Sequence, residues 1–179
     1  MESLTQQIKH YAATNSHESE FAFRFIELLK HPDAFQRTHL PGHITGSSFI
    51  VSEDFSQTLL VHHVKLNRWL QPGGHADGDE NVERVALREA NEETGLQHLT
   101  LATHEIFDID IHPIPARKDF GAHDHYDVRY LVLASMDEKI VVSEESHDVK
   151  WVDLKDLEQF STETSLLRMR DKLLEWRKG

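Results

Sequence analysis

The feature that most constrains the fold is an uninterrupted run of helix-forming residues, Glu80 to Thr94, between two glycine-containing turns. The run contains no glycine or proline and is rich in Ala, Leu, Arg and Glu, which favour the helical backbone. A Pro-Gly-Gly turn ending at Gly74 precedes it, and Gly95 stands where a left-handed residue ends many helices. The run therefore predicts one central helix, around which the other elements must be arranged.

Short stretches rich in β-branched and aromatic residues lie on both sides of this helix and predict strands. The predicted strands cover residues 43–52, 58–64, 68–70, 99–112, 125–135 and 148–152. Because strands and helices interleave along the chain, we expect an α/β fold with a mixed sheet.

Helical patterns also mark the two ends of the chain. From Ser3 to Lys30, apolar residues recur at helical spacing, with Ser19 as a candidate N-cap. Residues 153–179 predict one short and one longer helix. We expect residues 1–40 to form a helical extension packed on a domain that spans residues 41–179.

The net charge and the residue types restrict the kinds of partner and site that this chain can have. The chain has 19 basic and 31 acidic residues and a net charge of −12, so a nucleic acid polymer is not an expected partner. It has no cysteine, which excludes disulfides and thiolate zinc sites. Its apolar stretches are too short for a signal peptide or a membrane span, so we expect a cytoplasmic monomer or homodimer without membrane attachment.

Three carboxylates share one side of the predicted helix, because Glu89, Glu92 and Glu93 lie within four residues of one another. Like charges at such spacing destabilise a helix by about 0.2–0.5 kcal/mol per pair. A divalent cation bound between them would turn this repulsion into attraction. Magnesium suits such a site, since it prefers oxygen ligands and keeps positions for water and phosphate. We also expect an ion pair between Glu80 and Arg84. The alternative is a solvated helix with a charged face.

The spacing of residues 74–96 resembles the signature box of the Nudix hydrolases. That signature reads Gly, five residues, Glu, seven residues, Arg-Glu, an apolar residue, any residue, Glu-Glu, any residue, Gly and an apolar residue. The residues that fill it are Gly74, Glu80, Arg88, Glu89, Ala90, Glu92, Glu93, Gly95 and Leu96. The resemblance implies an α/β/α sandwich with a mixed β-sheet. It also implies hydrolysis of a diphosphate linkage in a small nucleoside diphosphate derivative, with Mg²⁺ or Mn²⁺ as cofactor.

The resemblance also implies a role for each matching position. The metal ligands would be Glu89, Glu92 and Glu93, with the carbonyl of Gly74, while Arg88 would orient the catalytic groups and Glu80 and Gly95 would be structural. Glu89 is the first candidate for the general base. Glu145 is the second, in an acidic group with Glu144 and Asp148 that could equally be an ordinary loop.

A polar loop from His112 to Asp124 is predicted to influence the choice of substrate. Arg117 and Lys118 are candidates for binding phosphate, and His125 and Tyr126 for binding a base or sugar. An exposed loop without a role in binding is the alternative. The sequence does not identify the nucleotide derivative.

Three other interpretations are less consistent with the sequence. His123 and His125 resemble half of a zinc site, but the sequence offers no further ligand at a recognisable spacing. A non-catalytic nucleotide-sensing module with the same fold is the alternative function, although such modules usually lose the box carboxylates. A related isomerase would need a catalytic cysteine, which this chain lacks.

Overall fold

The computed structural model describes residues 2–116 and 120–178. Its helices are α1 (Leu4–Thr14), α2 (Ser19–Leu28), α3 (Val82–Thr94), α4 (Leu157–Phe160) and α5 (Thr164–Trp176). Its strands are β1 (Gly42–Ser52), β2 (Gln57–His63), β3 (Arg68–Leu70), β4 (Gly73–His75), β5 (Thr100–Leu101), β6 (Asp108–Ile114), β7 (His123–Ala134) and β8 (Ser146–Asp153). Within the described residues, no helix has both the length and the apolar character needed to cross a membrane.

All eight strands belong to one mixed sheet, which is built around the parallel pair of β1 and β7. The pair keeps a constant register from Gly42 opposite Asp124 to Ser52 opposite Ala134. The other edge of β1 is shared by β4 and β2, and β2 also pairs with β3 and β8. The outer edge of β7 carries β5 and β6. The predicted mixed sheet is therefore confirmed.

Alternate residues of β1 pack into two separate apolar cores, one on each face of the sheet. Ile44 and Ile50 belong to the core that includes α1, α2 and α3. Phe49 and Val51 belong to the core that includes α5. On the α3 face, a Cβ added at Gly46 would lie 2.9 Å from a Val82 methyl, so glycine permits the close approach of this helix. The three layers confirm the predicted sandwich.

The predicted N-terminal helical segment is confirmed, and within it the chain forms two helices with a break after Thr14. Asn15 ends α1, where its side chain and its backbone N–H both donate to the carbonyl of Tyr11. A short 3₁₀ turn then leads into α2, whose first residue is Ser19. The hydroxyl of Ser3 caps α1, whereas no side chain caps α2, so the predicted capping role of Ser19 was wrong.

The predicted strand over residues 99–112 is divided into β5 and β6, and the predicted loop after it is shorter. Strand β6 continues through Pro113 to Ile114, which lies opposite His123 of β7. Proline is tolerated there because β6 pairs only with β7 among the described residues. The connection between the two strands therefore covers residues 115–122 rather than 112–124.

Candidate functional site

Helix α3 begins at Val82, two residues after the predicted start at Glu80. The side chain of Asn81 caps it by accepting the N–H of Arg84 at 3.0 Å. The Arg84 guanidinium makes two hydrogen bonds to Asp79, of 2.8 and 2.6 Å, while Glu80 is exposed. The predicted Glu80–Arg84 pair was wrong, because Asp79 offers the guanidinium a bidentate arrangement.

The end of α3 and the turn before it bring backbone close to the box carboxylates. Gly95 ends the helix in the left-handed conformation, with φ of 76° and its N–H bonded to Asn91. The N–H of Gly73 donates to Glu93 at 2.9 Å. A Cβ added at Gly74 would lie 2.3 Å from a carboxylate oxygen of Glu89. A side chain at position 74 would displace the Glu89 carboxylate, so glycine keeps strand β4 directly against it.

The environment of the carboxylates favours the binding of positive charge. Burial raises the pKa of Glu93 to about 7, and the charges of Glu89 and Glu145 add to this, while the Gly73 hydrogen bond opposes it. Burial also raises the pKa of Glu89. These effects place Glu145 in the same electrostatic cluster, although it comes from the segment before β8.

Arg88 connects helix α3 to strand β4. Its guanidinium donates to Glu89 at 2.7 Å and to the carbonyl of His75 at 2.8 Å. It lies 3.9 Å from Glu92, whose side chain is 59% exposed. Glu89 and Glu93 therefore face β4, whereas Glu92 is directed to solvent. These oxygen donors, together with the raised pKa of Glu93, fit a hard divalent cation such as Mg²⁺ or Mn²⁺.

The acidic residues grouped in the sequence, Glu144, Glu145 and Asp148, do not share one environment. Glu145 is exposed and contributes to the electrostatic cluster at the box, and its backbone carbonyl accepts from Val64 at 2.9 Å. Asp148 instead lies within β8, 3.6 Å from Lys150.

A polar surface on the α5 face of the sheet adjoins β4. It occupies the N-terminal half of β1, whereas the C-terminal half of that strand face is apolar. The strand registers place its residues in three rows, namely His43, His125 and His112; His75, Thr45, Asp127 and Asp110; and Ser47, Arg129 and Asp108. Most of these residues were not singled out by the sequence analysis. The signal was their alternation with apolar residues in β6 and β7.

Asp127 and Arg129 form the buried centre of this polar surface. Asp127 accepts from Thr45 at 3.0 Å, from Ser47 at 2.7 Å and from Arg129 at 2.7 Å. Arg129 is 2% exposed and also lies 3.1 Å from Asp108. The positive charge of the Arg129 guanidinium thus balances the negative charges of carboxylates from β6 and β7.

Ion pairs connect this buried centre to residues near both ends of the chain. Arg168 and Lys172 of α5 bind Asp108 at 2.7 and 2.5 Å, and Lys172 also binds Glu18 at 2.9 Å. The buried hydroxyl of Tyr11 donates to Glu18. The N-terminal helices are therefore tied to the sheet and to α5 by ionic groups as well as by the apolar core.

Asp110 is expected to make stability depend on acid pH. Burial raises its pKa, but the His112 hydrogen bond and the charges of Arg129 and Arg168 outweigh burial and lower the pKa to about 2. A carboxylate with a lowered pKa contributes stability above its unfolded pKa of about 3.9, and this is lost as pH falls towards 2. Asp110→Asn should cost on the order of 2 kcal/mol at pH 6 and much less at pH 2.5. Urea unfolding of both proteins across this range measures the difference. An equal cost at both pH values would contradict the assignment.

The residues predicted to bind substrate are not all brought together. His125 lies on the polar surface among other histidines, and burial lowers its pKa to about 2. Tyr126 faces the opposite side of β7, where its ring makes an edge contact with Phe25 at 5.2 Å. Arg117 and Lys118 lie outside the described residues.

Comparison with known proteins gives a consistent result. A family model described as the NUDIX domain matches residues 43–175. A probable DHNTP pyrophosphohydrolase from Lactococcus lactis subsp. cremoris (strain MG1363) is 27% identical over 135 residues, which cover 73% of this chain and 78% of that protein.

Solved structures show the same fold at low identity. An Ap4A hydrolase from C. elegans, in a binary complex, has a TM-score of 0.62 at 18% identity and covers 76% of this chain and 98% of its own. The dihydroneopterin triphosphate pyrophosphohydrolase of E. coli has a TM-score of 0.59 at 16% identity, over 72% of this chain and 92% of its own.

Proposed function

Because this chain belongs to the Nudix hydrolase family, we propose that it is a metal-dependent enzyme that cleaves a diphosphate linkage in a nucleoside diphosphate derivative. The observation that carries the proposal is the packing of the Glu89 and Glu93 carboxylates against Gly73 and Gly74, with Arg88 holding Glu89. This arrangement retains every carboxylate of the box, which favours an enzyme over a sensing module.

The box residues have distinct tasks in this proposal. Glu89, Glu92, Glu93 and the carbonyl of Gly74 would hold Mg²⁺ or Mn²⁺. The ion supplies positive charge at the diphosphate and Lewis acidity when it is bound. Arg88 keeps Glu89 in one orientation by its two hydrogen bonds, so the site is organised before substrate arrives.

A carboxylate must also take the proton of the attacking water. We assign this role to Glu145, because its side chain is exposed while its charge acts on Glu89 and Glu93. Glu89 is the second candidate, but its carboxylate is already engaged by Arg88.

Glu145→Gln should lower kcat about a hundredfold, because an amide cannot accept the proton. The Mg²⁺ concentration that gives half-maximal activity should rise much less in Glu145→Gln than in Glu89→Gln, which removes a proposed metal ligand. Glu144→Gln is the matched control, since Glu144 is the adjacent exposed glutamate. Wild-type kcat in Glu145→Gln would transfer the role of base to Glu89.

Millimolar Mg²⁺ should raise the melting temperature of the wild type, because the ion binds the folded cluster and not the unfolded chain. The effect should vanish when Glu89, Glu92 and Glu93 are all replaced by Gln. Differential scanning fluorimetry with and without Mg²⁺ makes the comparison. Equal stabilisation of the triple variant would place the ion at another part of the molecule.

A substrate panel tests the function itself. Release of phosphate or pyrophosphate should be followed with nucleoside triphosphates, ADP-ribose, nucleotide sugars, dinucleoside polyphosphates and dihydroneopterin triphosphate, each with Mg²⁺ and with Mn²⁺. The last two classes are included because the relatives carry names that refer to them. Binding without turnover throughout the panel would favour the sensing module.

A further inference from the structure

Two histidines of the polar surface, His43 and His125, lie close to His123, which precedes His125 by two residues in β7. One nitrogen from each of His43, His123 and His125 lies within 4.8 Å of the others. The ring centroids are 4.9 Å apart for His43 and His123, 5.0 Å for His43 and His125, and 5.2 Å for His123 and His125. These separations are compatible with three ligands of one ion after small rotations of the rings.

The sheet creates this cluster from distant parts of the chain. His43 lies directly opposite His125 in the parallel ladder of β1 and β7. His123 precedes His125 by two residues and therefore faces the same side of β7. The histidine pair recognised in the sequence thus acquires its third member from the start of β1, which no local spacing indicates.

Hydrogen bonds select the tautomer of two of the three rings. Nδ1 of His43 lies 3.2 Å from the carbonyl of His39, and Nδ1 of His123 lies 2.8 Å from the carbonyl of Gly121. A carbonyl can only accept, so Nδ1 carries the hydrogen and Nε2 keeps its lone pair. Metal-binding histidines are held in the same way, by donating the other ring nitrogen to a carbonyl.

Two buried ring nitrogens of the cluster lack a hydrogen-bond partner. Nε2 of His43 and Nε2 of His125 have no hydrogen-bond partner, and His43 is 0% exposed. A buried polar atom without a partner costs about 1–3 kcal/mol, so a purely structural role does not explain this arrangement. A cation bound between the rings would satisfy both atoms.

We infer that His43, His123 and His125 form a binding site for a transition metal ion of the Zn²⁺ class, separate from the carboxylates of the box. Imidazole ligands suit Zn²⁺ and its neighbours, whereas Mg²⁺ prefers oxygen. Three protein ligands leave a coordination position for water or a substrate oxygen. His75 is a fourth candidate, with its ring 5.2 Å from His43 and 5.0 Å from His125. The inference does not depend on the proposed hydrolysis.

The test is Zn²⁺ binding to the full chain after removal of metals by a chelator, in the presence of excess Mg²⁺. Calorimetry and elemental analysis after gel filtration should give one Zn²⁺ per chain. The same stoichiometry is expected for the variant with Gln at positions 89, 92 and 93. His123→Gln should weaken Zn²⁺ binding about a hundredfold or more, since loss of even an outer partner costs 10–100-fold. Co²⁺ in place of Zn²⁺ should give a visible absorption spectrum that His123→Gln abolishes.

Two controls make the result interpretable. His104→Gln removes an exposed histidine paired with Glu83 and should bind Zn²⁺ as the wild type does. The metal-free melting temperature of His123→Gln shows whether its fold is retained, and His43→Gln provides a second ligand variant. The inference is overturned if Zn²⁺ does not bind saturably. It is also overturned if binding is lost in the triple Gln variant and kept in His123→Gln, or if His104→Gln loses it equally.

Discussion

Replacing Glu93 with Gln is expected to lower turnover on the order of a thousandfold, because it removes a charge from the centre of the site without changing the size of the side chain. The amide oxygen can still accept the N–H of Gly73, so the contact between α3 and β4 is kept. The carboxylate is buried and its pKa is raised to about 7. The metal-free variant should therefore be at least as stable as the wild type above pH 7, where Glu93 is ionised and its buried charge destabilises the folded wild type.

The measurement is kcat with the best substrate of the panel over a range of Mg²⁺ concentrations, combined with thermal unfolding in a chelator. Glu83→Gln is the matched control, since Glu83 lies on the same helix and pairs with His104 on the surface. It should keep wild-type turnover. If Glu93→Gln turns over normally at limiting Mg²⁺, Glu93 is not a metal ligand.

Replacing Arg129 with Met is expected to destabilise the fold by about 3–5 kcal/mol, because it leaves the buried carboxylate of Asp127 without a compensating charge. It also removes one of the three cations that bind Asp108, which keeps Arg168 and Lys172. Arg129 is 2% exposed, and its partners Asp127 and Asp108 are 1% and 0% exposed. Neither carboxylate can reach solvent to recover the lost interaction. A loss of this size is a large part of the 5–15 kcal/mol that is typical of whole domains.

Urea unfolding at pH 7 measures this loss. Arg84→Met is the control, because it removes a pair whose arginine is 67% exposed and should cost less than about 1 kcal/mol. Adding Asp127→Asn to Arg129→Met should recover part of the stability, since the amide can still accept from Thr45 and Ser47 while carrying no charge. A fully additive double variant would show that the two residues are not coupled.

Features fixed by local geometry could be predicted from the sequence. Gly95 ends the box helix, which depends on residues only a few positions apart. The turn at Gly74 lies against Glu89, and both residues belong to the one continuous motif whose spacing the sequence displays. The start of the helix was misplaced by two residues. Asn81 caps the helix and Asp79 binds the Arg84 guanidinium, so side-chain hydrogen bonds, and not helix propensity alone, determine the first helical residue.

Features that depend on strand pairing could not be predicted. Successive side chains of β7 point to opposite faces of the sheet, so His125 and Tyr126 cannot face the same side. Which of the two faces the polar surface depends on the packing of α2 against Tyr126. Thr45 meets Asp127 through pairing between positions 82 residues apart. The sequence contains both residues without any spacing that relates them. This is why the buried charges and the third histidine were missed while the box was recognised.

The parallel pairing of β1 and β7 affects the order in which the box helix and the polar surface form during folding. The helix with the box can begin to form from its own residues, but the polar surface requires closure of a loop of about eighty residues, and such long-range pairing slows folding. We therefore expect a partly folded chain to form helical structure in the box before the polar surface is assembled. Competence to bind should coincide with the last cooperative step of folding, rather than with the appearance of helical structure.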